Sequence, residues 1–306
     1  MKGMDLAESY YRQYGASMIA QIFPAYQGRI AAGLVGNGSE CYGFDDEISQ
    51  DHDWGPGFCL WLAKEDYEVI GGSLQAEYDR LPKTFHGYEL VNTPWGAGRV
   101  GVFEIASFYQ KFTGLSHAPK TLMRWVGLSE ERAASCTNGK VFTDPLGRFS
   151  EIREDFLSFY PEDVLRLRLA AACISSGQSG QYNYLRSIRR KEYYTAQYAE
   201  TKFSADIMSM IFLLNRRYAP FYKWRHRAVY QLPILGFFIH EKISALVDTH
   251  DYNKKNNLIE EMSNAVIEEL QRQGLSDSRS DFLVDHAFII REKIQDPDIR
   301  KMLVIG

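Results

Sequence analysis

Near residue 150 the sequence changes texture, and the change limits what each half can become. Before it, short apolar runs are set off by glycine and proline. Residues 30–35 run into Gly36-Asn37-Gly38-Ser39, and the run 58–62 follows Gly55-Pro56-Gly57. Residues 99–105 have strand composition with Glu104 near their end. Apolar positions at three- and four-residue spacing predict helices over 4–22, ended by Phe23-Pro24, and over 64–81. After the change, helical spacing runs through 151–160, 161–175, 179–198, 202–218 and 258–274, and strand-like alternation is scarce. The expectation is an α+β chain: an α/β unit over 1–145, then an α-helical bundle over 146–306. The most apolar stretch, 231–249, reads as a core helix, with a dimer surface as the alternative.

Charge follows the same division. Residues 1–150 carry 13 Lys and Arg against 18 Asp and Glu, a balance of −5, whereas 166–227 carry 12 against 3, a balance of +9. An acidic front is followed by a basic segment. Four cysteines (Cys41, Cys59, Cys136, Cys173) form no CxxC pair, and with the seven histidines they suggest no zinc site. No run approaches the roughly 18 apolar residues of a membrane span, and no apolar leader opens the chain. A reduced, cytoplasmic protein without membrane contact, monomeric or homodimeric, is expected.

Within the acidic front, GSECYGFDDEISQDHDW (38–54) places five carboxylates in the nine residues 45–53. Like charges so spaced repel unless something positive joins them. Gly38 lets backbone approach a ligand closely, and the Ser39 amide and hydroxyl can donate to phosphate oxygens. Were residues 51–53 extended, Asp51 and Asp53 would share one face and His52 would lie on the other. Two carboxylates on one face suit Mg²⁺, which also takes oxygens from substrate phosphates. An exposed acidic turn is the plainer reading of the same residues.

Gly-Ser, a spacer of eleven residues, then Asp-x-Asp resembles the polymerase-β-type nucleotidyltransferases. That superfamily includes antibiotic nucleotidyltransferases and minimal ones paired with helical domains. The longer string, with Gln181-Tyr182-Asn183 and LNRRYAPFYKW (214–224), looks like a bacterial nucleotidyltransferase-like family carrying a helical domain of unknown function. The resemblance covers roughly 28–232. It implies a nucleotidyltransferase α/β core with a mixed sheet, and Gly38 and Ser39 on the phosphates of a nucleoside triphosphate, ATP favoured. It also implies two Mg²⁺ ions, or Mn²⁺, about 4 Å apart on Asp51 and Asp53. A third carboxylate is usual on a later strand; Glu104 is the candidate and Glu89 the alternative. The implied reaction is transfer of a nucleoside monophosphate, AMP above others, to a hydroxyl of a small molecule with release of pyrophosphate. An RNA or protein acceptor, or a non-catalytic nucleotide sensor, are the other readings.

The basic segment mixes cations with aromatics. Arg186, Arg189 and Lys223, with Tyr182 and Asn183 beside them, are the candidates for contacting the triphosphate or an anionic acceptor. A solvated helix face with ion pairs is the plainer alternative.

Overall fold

The computed structural model describes residues 1–91, 93–94 and 96–302. The chain is α+β and forms two compact units: residues 1–119 with 128–158, and residues 120–127 with 159–306. The boundary expected at 145/146 therefore falls inside the first unit, and a short segment before it belongs to the second.

The first unit opens with α1 (Gly3–Tyr10), which continues through a wider π-type turn (Tyr11–Gly15) into α2 (Ala16–Ile22). Then follow β1 (Ala31–Leu34), β2 (Cys59–Leu62), α3 (Lys64–Asp79), the hairpin β3 (Thr84–Phe85) and β4 (Tyr88–Glu89), and β5 (Gly101–Glu104). Next come α4 (Ile105–Thr113), α5 (Leu122–Val126, in the second unit), α6 (Glu130–Thr137), β6 (Lys140–Thr143) and α7 (Arg148–Leu157). The sheet order is β5-β2-β1-β6. β1 is antiparallel to β2 and β6, whereas β2 and β5 are parallel with Leu62 opposite Glu104, so the sheet is mixed.

Both faces of this sheet are covered, which is why β2 reads as a continuous apolar run rather than an alternation. Phe58, Leu60 and Leu62 pack with Leu6, Tyr10, Ile70, Leu74 and Tyr78 from α1 and α3. On the other side Trp61 stacks on Phe149 at 3.8 Å, and Tyr109 stacks on Phe156. Phe149 and Phe156 are fully buried. Those two aromatics hold α7 in the sheet unit, and the helical spacing of 151–160 gave no sign of which core they would join.

The second unit contains α8 (Glu162–Ser176), a π-type segment (Gly177–Tyr184), α9 (Leu185–Arg189), α10 (Tyr193–Leu214), α11 (Tyr222–Val229) and α12 (Gly236–Asp248). It ends with α13 (Tyr252–Arg272), α14 (Leu283–Glu292) and α15 (Pro297–Lys301). α8 packs on α10 and α14, and α12 on α13. The stretch read as a core helix is α12, with Ile239, Ile243 and Leu246 buried. The helix break expected between 198 and 202 is absent. The chain breaks instead at Arg190–Glu192, where Lys191 adopts φ 63°, and α10 then runs unbroken because Ala199, Phe203 and Ile207 all face the core.

All four cysteines are free and buried. Burial pushes the thiols of Cys59, Cys136 and Cys173 up to about 12 and that of Cys41 higher still. None is a thiolate at neutral pH. Among the described residues no helix is long and apolar enough to cross a membrane.

Candidate active site

The site grows from the end of β1. After Val35 the backbone of Gly36 is clamped by Asn138, whose carbonyl oxygen accepts from Gly36 N–H at 2.9 Å and whose amide donates to Gly36 O at 2.8 Å. Gly38 then takes φ 134°, and a Cβ there would lie 2.6 Å from Glu40 Oε2. Only glycine fits both the angle and the space. A helical turn, Ser39–Tyr42, follows. Neither the Ser39 amide nor its hydroxyl has a hydrogen-bond partner among the described residues, so both remain able to donate to a ligand.

Beneath this turn Glu40 is 4% exposed and forms an ion pair with Arg99, itself largely buried. Burial draws the Arg99 guanidinium down to about 10, still well above neutrality, so the pair is ionic. The second guanidinium nitrogen of Arg99 donates to the carbonyl oxygen of Asp53. One side chain thus joins the Gly38-Ser39 turn to the Asp51-x-Asp53 turn. Arg99 opens the strand expected over 99–105, and Glu40 has no local pattern that marks it. A lone arginine between Gly98 and Val100 gave no signal of a partner so far away in the chain.

The carboxylates of the acidic stretch have separate tasks. Asp45 is buried and accepts from Gly3 N–H at 2.7 Å and Trp54 Nε1 at 3.3 Å. Asp46 caps the turn Ile48–Gln50 through Ile48 N–H and Ser49 N–H, each at 3.1 Å. Asp45 thus ties the loop to the start of α1, and the exposed Asp46 orders the turn that follows it.

The extended reading of residues 51–53 is corrected. Asp51 keeps the helical angles of the preceding turn (φ −73°, ψ −33°), and Asp53 is left-handed at φ 52°. Asp53 N–H is drawn to Val91 O at 2.7 Å, and Gly55-Pro56-Gly57 separates the pair from β2. Side-chain alternation therefore does not apply. Asp51 is exposed, with its Oδ1 2.7 Å from His52 Nδ1, so His52 sits beside it rather than on an opposite face. Asp53 is half-buried and accepts from Thr93 N–H at 2.7 Å and Thr93 Oγ1 at 2.6 Å. Gly96 packs so closely that a Cβ there would lie 2.0 Å from Asp53 Oδ1.

Glu104 ends β5 and caps α4: its carboxylate accepts from Ala106 N–H at 2.9 Å and Ser107 N–H at 2.7 Å. Glu89 lies exposed on β4. Among the described residues no group of three or more His, Cys, Asp or Glu side chains is placed to hold a metal ion. The expected three-carboxylate set of Asp51, Asp53 and Glu104 is therefore not assembled. A cavity of about 110 Å³ is lined by Asn37, Gly96, Gly98, Arg99, Lys111 and Phe112, among others. Lys111 donates to Gly98 O at 2.8 Å, which fixes a cation at the wall of this cavity.

The candidates in the helical unit do not form one cluster. Arg186 lies over the Tyr182 ring at 4.5 Å, and Lys223 over Trp224 at 4.6 Å. Arg189 is exposed. Gln181 clamps the π-type segment, donating to Glu260 at 2.8 Å and Asp281 O at 2.7 Å and accepting from Leu283 N–H at 2.9 Å. Burial holds the Glu260 carboxyl above its usual range. Asn183 lines a second cavity, in the helical unit.

Residues 125–225 match the family described as a domain of unknown function, DUF4037. That span includes Gln181-Tyr182-Asn183 and LNRRYAPFYKW but not the Gly-Ser and Asp-x-Asp turns. No curated protein matches the chain. Among solved structures the chain is similar to a nucleotidyltransferase-like protein from Exiguobacterium sibiricum. The identity is 11%, the TM-score 0.36, and the likeness covers 91% of this chain and 80% of that one.

Proposed function

We propose that the chain is a nucleotidyltransferase that binds a nucleoside triphosphate at the Gly38-Ser39 turn and transfers its nucleoside monophosphate, AMP from ATP by preference, to a hydroxyl of a small-molecule acceptor. The observation that carries this reading is Arg99, which bonds both Glu40 under the Gly-Ser turn and Asp53 in the Asp-x-Asp turn while lining a cavity with Lys111. Two halves of one motif, separated by eleven residues, are fixed to each other by a buried cation remote from both in the chain. A merely solvated acidic loop has no use for such a tie.

The donor set fits Mg²⁺ on two carboxylates, because that ion takes one or two from protein and the rest from phosphate and water. Asp51 and Asp53 would hold it; when bound, it supplies neutralisation of the phosphate oxygens and of the leaving pyrophosphate. The chain's own groups do the rest. The Ser39 amide and hydroxyl orient phosphate oxygens, and Lys111 adds positive charge at the cavity that Asn37 also lines. The carboxylates of Glu104 and Asp53 are engaged, by α4 and by Thr93, which leaves the exposed Asp51 as the carboxylate of the three most open to take a hydroxyl proton.

Those same bonds favour one second reading, a non-catalytic nucleotide-binding module, since Asp53 is bonded to Thr93 and Glu104 to α4. The deciding assay is pyrophosphate release with Mg²⁺, each of four nucleoside triphosphates, and cell extract split into small-molecule, RNA and protein fractions. Release that requires the small-molecule fraction and disappears in Asp51→Asn/Asp53→Asn is expected. Nucleotide binding without release in any fraction would overturn catalysis, and release that needs the RNA or protein fraction would move the acceptor there.

A further inference from the structure

The helical unit contains a cavity of about 360 Å³, within the size range of small-molecule sites, about 300–1,000 Å³. Most of the residues that line it carry a polar group (Gln178, Ser179, Asn183, Thr195, Tyr198 and Lys202, with Ser175 and Ala199), although the surface they present is more apolar than polar. The shape follows from two helical stripes. Thr195, Tyr198, Ala199 and Lys202 recur at i, i+3, i+4 and i+7 along α10, hence on one face. Opposite them runs the π-type segment Gly177–Tyr184. Its i→i+5 winding brings Gln178 and Asn183, five residues apart, to the same side, where an α-helix would set them on different faces. Eight residues of π-type winding are rare, and such segments are frequent at functional sites.

The base of the cavity is rigid. Lys202 Nζ donates to Ser175 Oγ at 2.6 Å and pairs with Asp206 at 3.0 Å, and Ser179 Oγ donates to Ser175 O at 2.7 Å. Asp206 thereby matches the one charge in the lining, so the cavity is close to neutral. The upper part is uncommitted: the side chains of Gln178, Asn183, Thr195 and Tyr198 have no hydrogen-bond partner among the described residues. Each amide offers both donors and an acceptor, and each hydroxyl offers both roles. The Tyr198 ring is 62% exposed, a bare apolar face beside these polar groups.

We propose that this cavity is a binding site for a neutral, hydroxyl-rich ring compound, a sugar or cyclitol of one or two rings. Alternating ring hydroxyls match the paired donors and acceptors of Gln178, Asn183 and Thr195, and Tyr198 covers the C–H face of the ring. A phosphorylated ligand finds no uncompensated cation in this lining, and an apolar one would leave the amides unpaired. This binding does not depend on the nucleotidyltransferase reading.

The test is calorimetric titration of the full chain, without nucleotide or Mg²⁺, with glucose, N-acetylglucosamine and myo-inositol, and separately with ATP. Binding of at least one of the three neutral rings is expected, with Kd raised about tenfold or more by Asn183→Ala and by Tyr198→Ala. Both positions are exposed, so the melting temperature should not move. Asp51→Asn should leave ring binding unchanged even if pyrophosphate release is lost, which separates the two hypotheses. The proposal is overturned if no ring compound binds, if binding ignores both variants, or if only ATP gives a signal that depends on them.

Discussion

The Gly38–Asp53 region of the sheet unit and the cavity of the helical unit hold their polar groups by different means. Around Gly38 and Asp53 the sheet unit relies on buried charge, with Glu40 and Arg99 paired out of solvent and Asp45 accepting from the start of α1. Removing one member of such a pair leaves the other uncompensated in a poorly polarisable interior. The helical unit uses neutral amides and hydroxyls at a half-open cavity, with its one lysine already matched by Asp206. The first arrangement is rigid and intolerant of change; the second leaves side chains free to meet a ligand. If the proposals hold, the first arrangement serves highly charged phosphates and the second neutral hydroxyls.

Substitutions break the comparison in order of size. Asp51→Asn should reduce pyrophosphate release by about 10³-fold, at the upper end for a single charge-stabilising group, yet leave thermal unfolding unchanged because the side chain is exposed. Equal loss of stability and activity would show Asp51 to be structural. Glu40→Gln should cost about 3–5 kcal/mol in denaturant unfolding of the sheet unit. Glu40→Met/Arg99→Met should recover a good part of that, since no buried charge is then left alone. If the single variant costs nothing, buried charge is not what distinguishes the two regions. Gly38→Ala should cost about 1–3 kcal/mol for a strained backbone and weaken triphosphate binding as well, read by melting and by titration with ATP.

The smallest effect belongs to the helical unit and concerns pH. His226 is held below its ordinary range, first by burial and then by the neighbouring His240, on which its ring stacks at 4.2 Å. The folded state therefore binds that proton less readily than the unfolded one. Its stabilising contribution is present above about pH 6.5 and is lost as pH falls through that value toward the lower folded value. His226→Gln should flatten the fall in melting temperature on acidification, and an unchanged slope would assign the effect to another group.

Much of the fold was legible because the strands of the sheet unit are buried on both faces and interrupted by glycine and proline, as at β1 and β2. Helical spacing likewise announced α3, α8 and α13. β6 was missed since four residues after Asn138-Gly139 carry too little pattern to separate a strand from a loop. The break at Lys191 was missed because a left-handed lysine has no propensity signal. In the site, Gly38 and Ser39 were readable as a turn. The geometry of Asp51 and Asp53 was not, because it is set by Val91, Thr93 and Arg99, all remote in sequence. Local pattern can suggest which carboxylates matter; it cannot show which backbone atoms claim them.

The burial of all four thiols has a practical consequence. With Cys41, Cys59, Cys136 and Cys173 enclosed and protonated, the folded chain should give no reaction with a thiol reagent at neutral pH. Tyr194, at the start of α10, is 83% exposed. A cysteine introduced there would be the one position to react, so a fluorophore could be attached beside the helical cavity without first deleting any native cysteine. The natural sequence is already prepared for optical labelling.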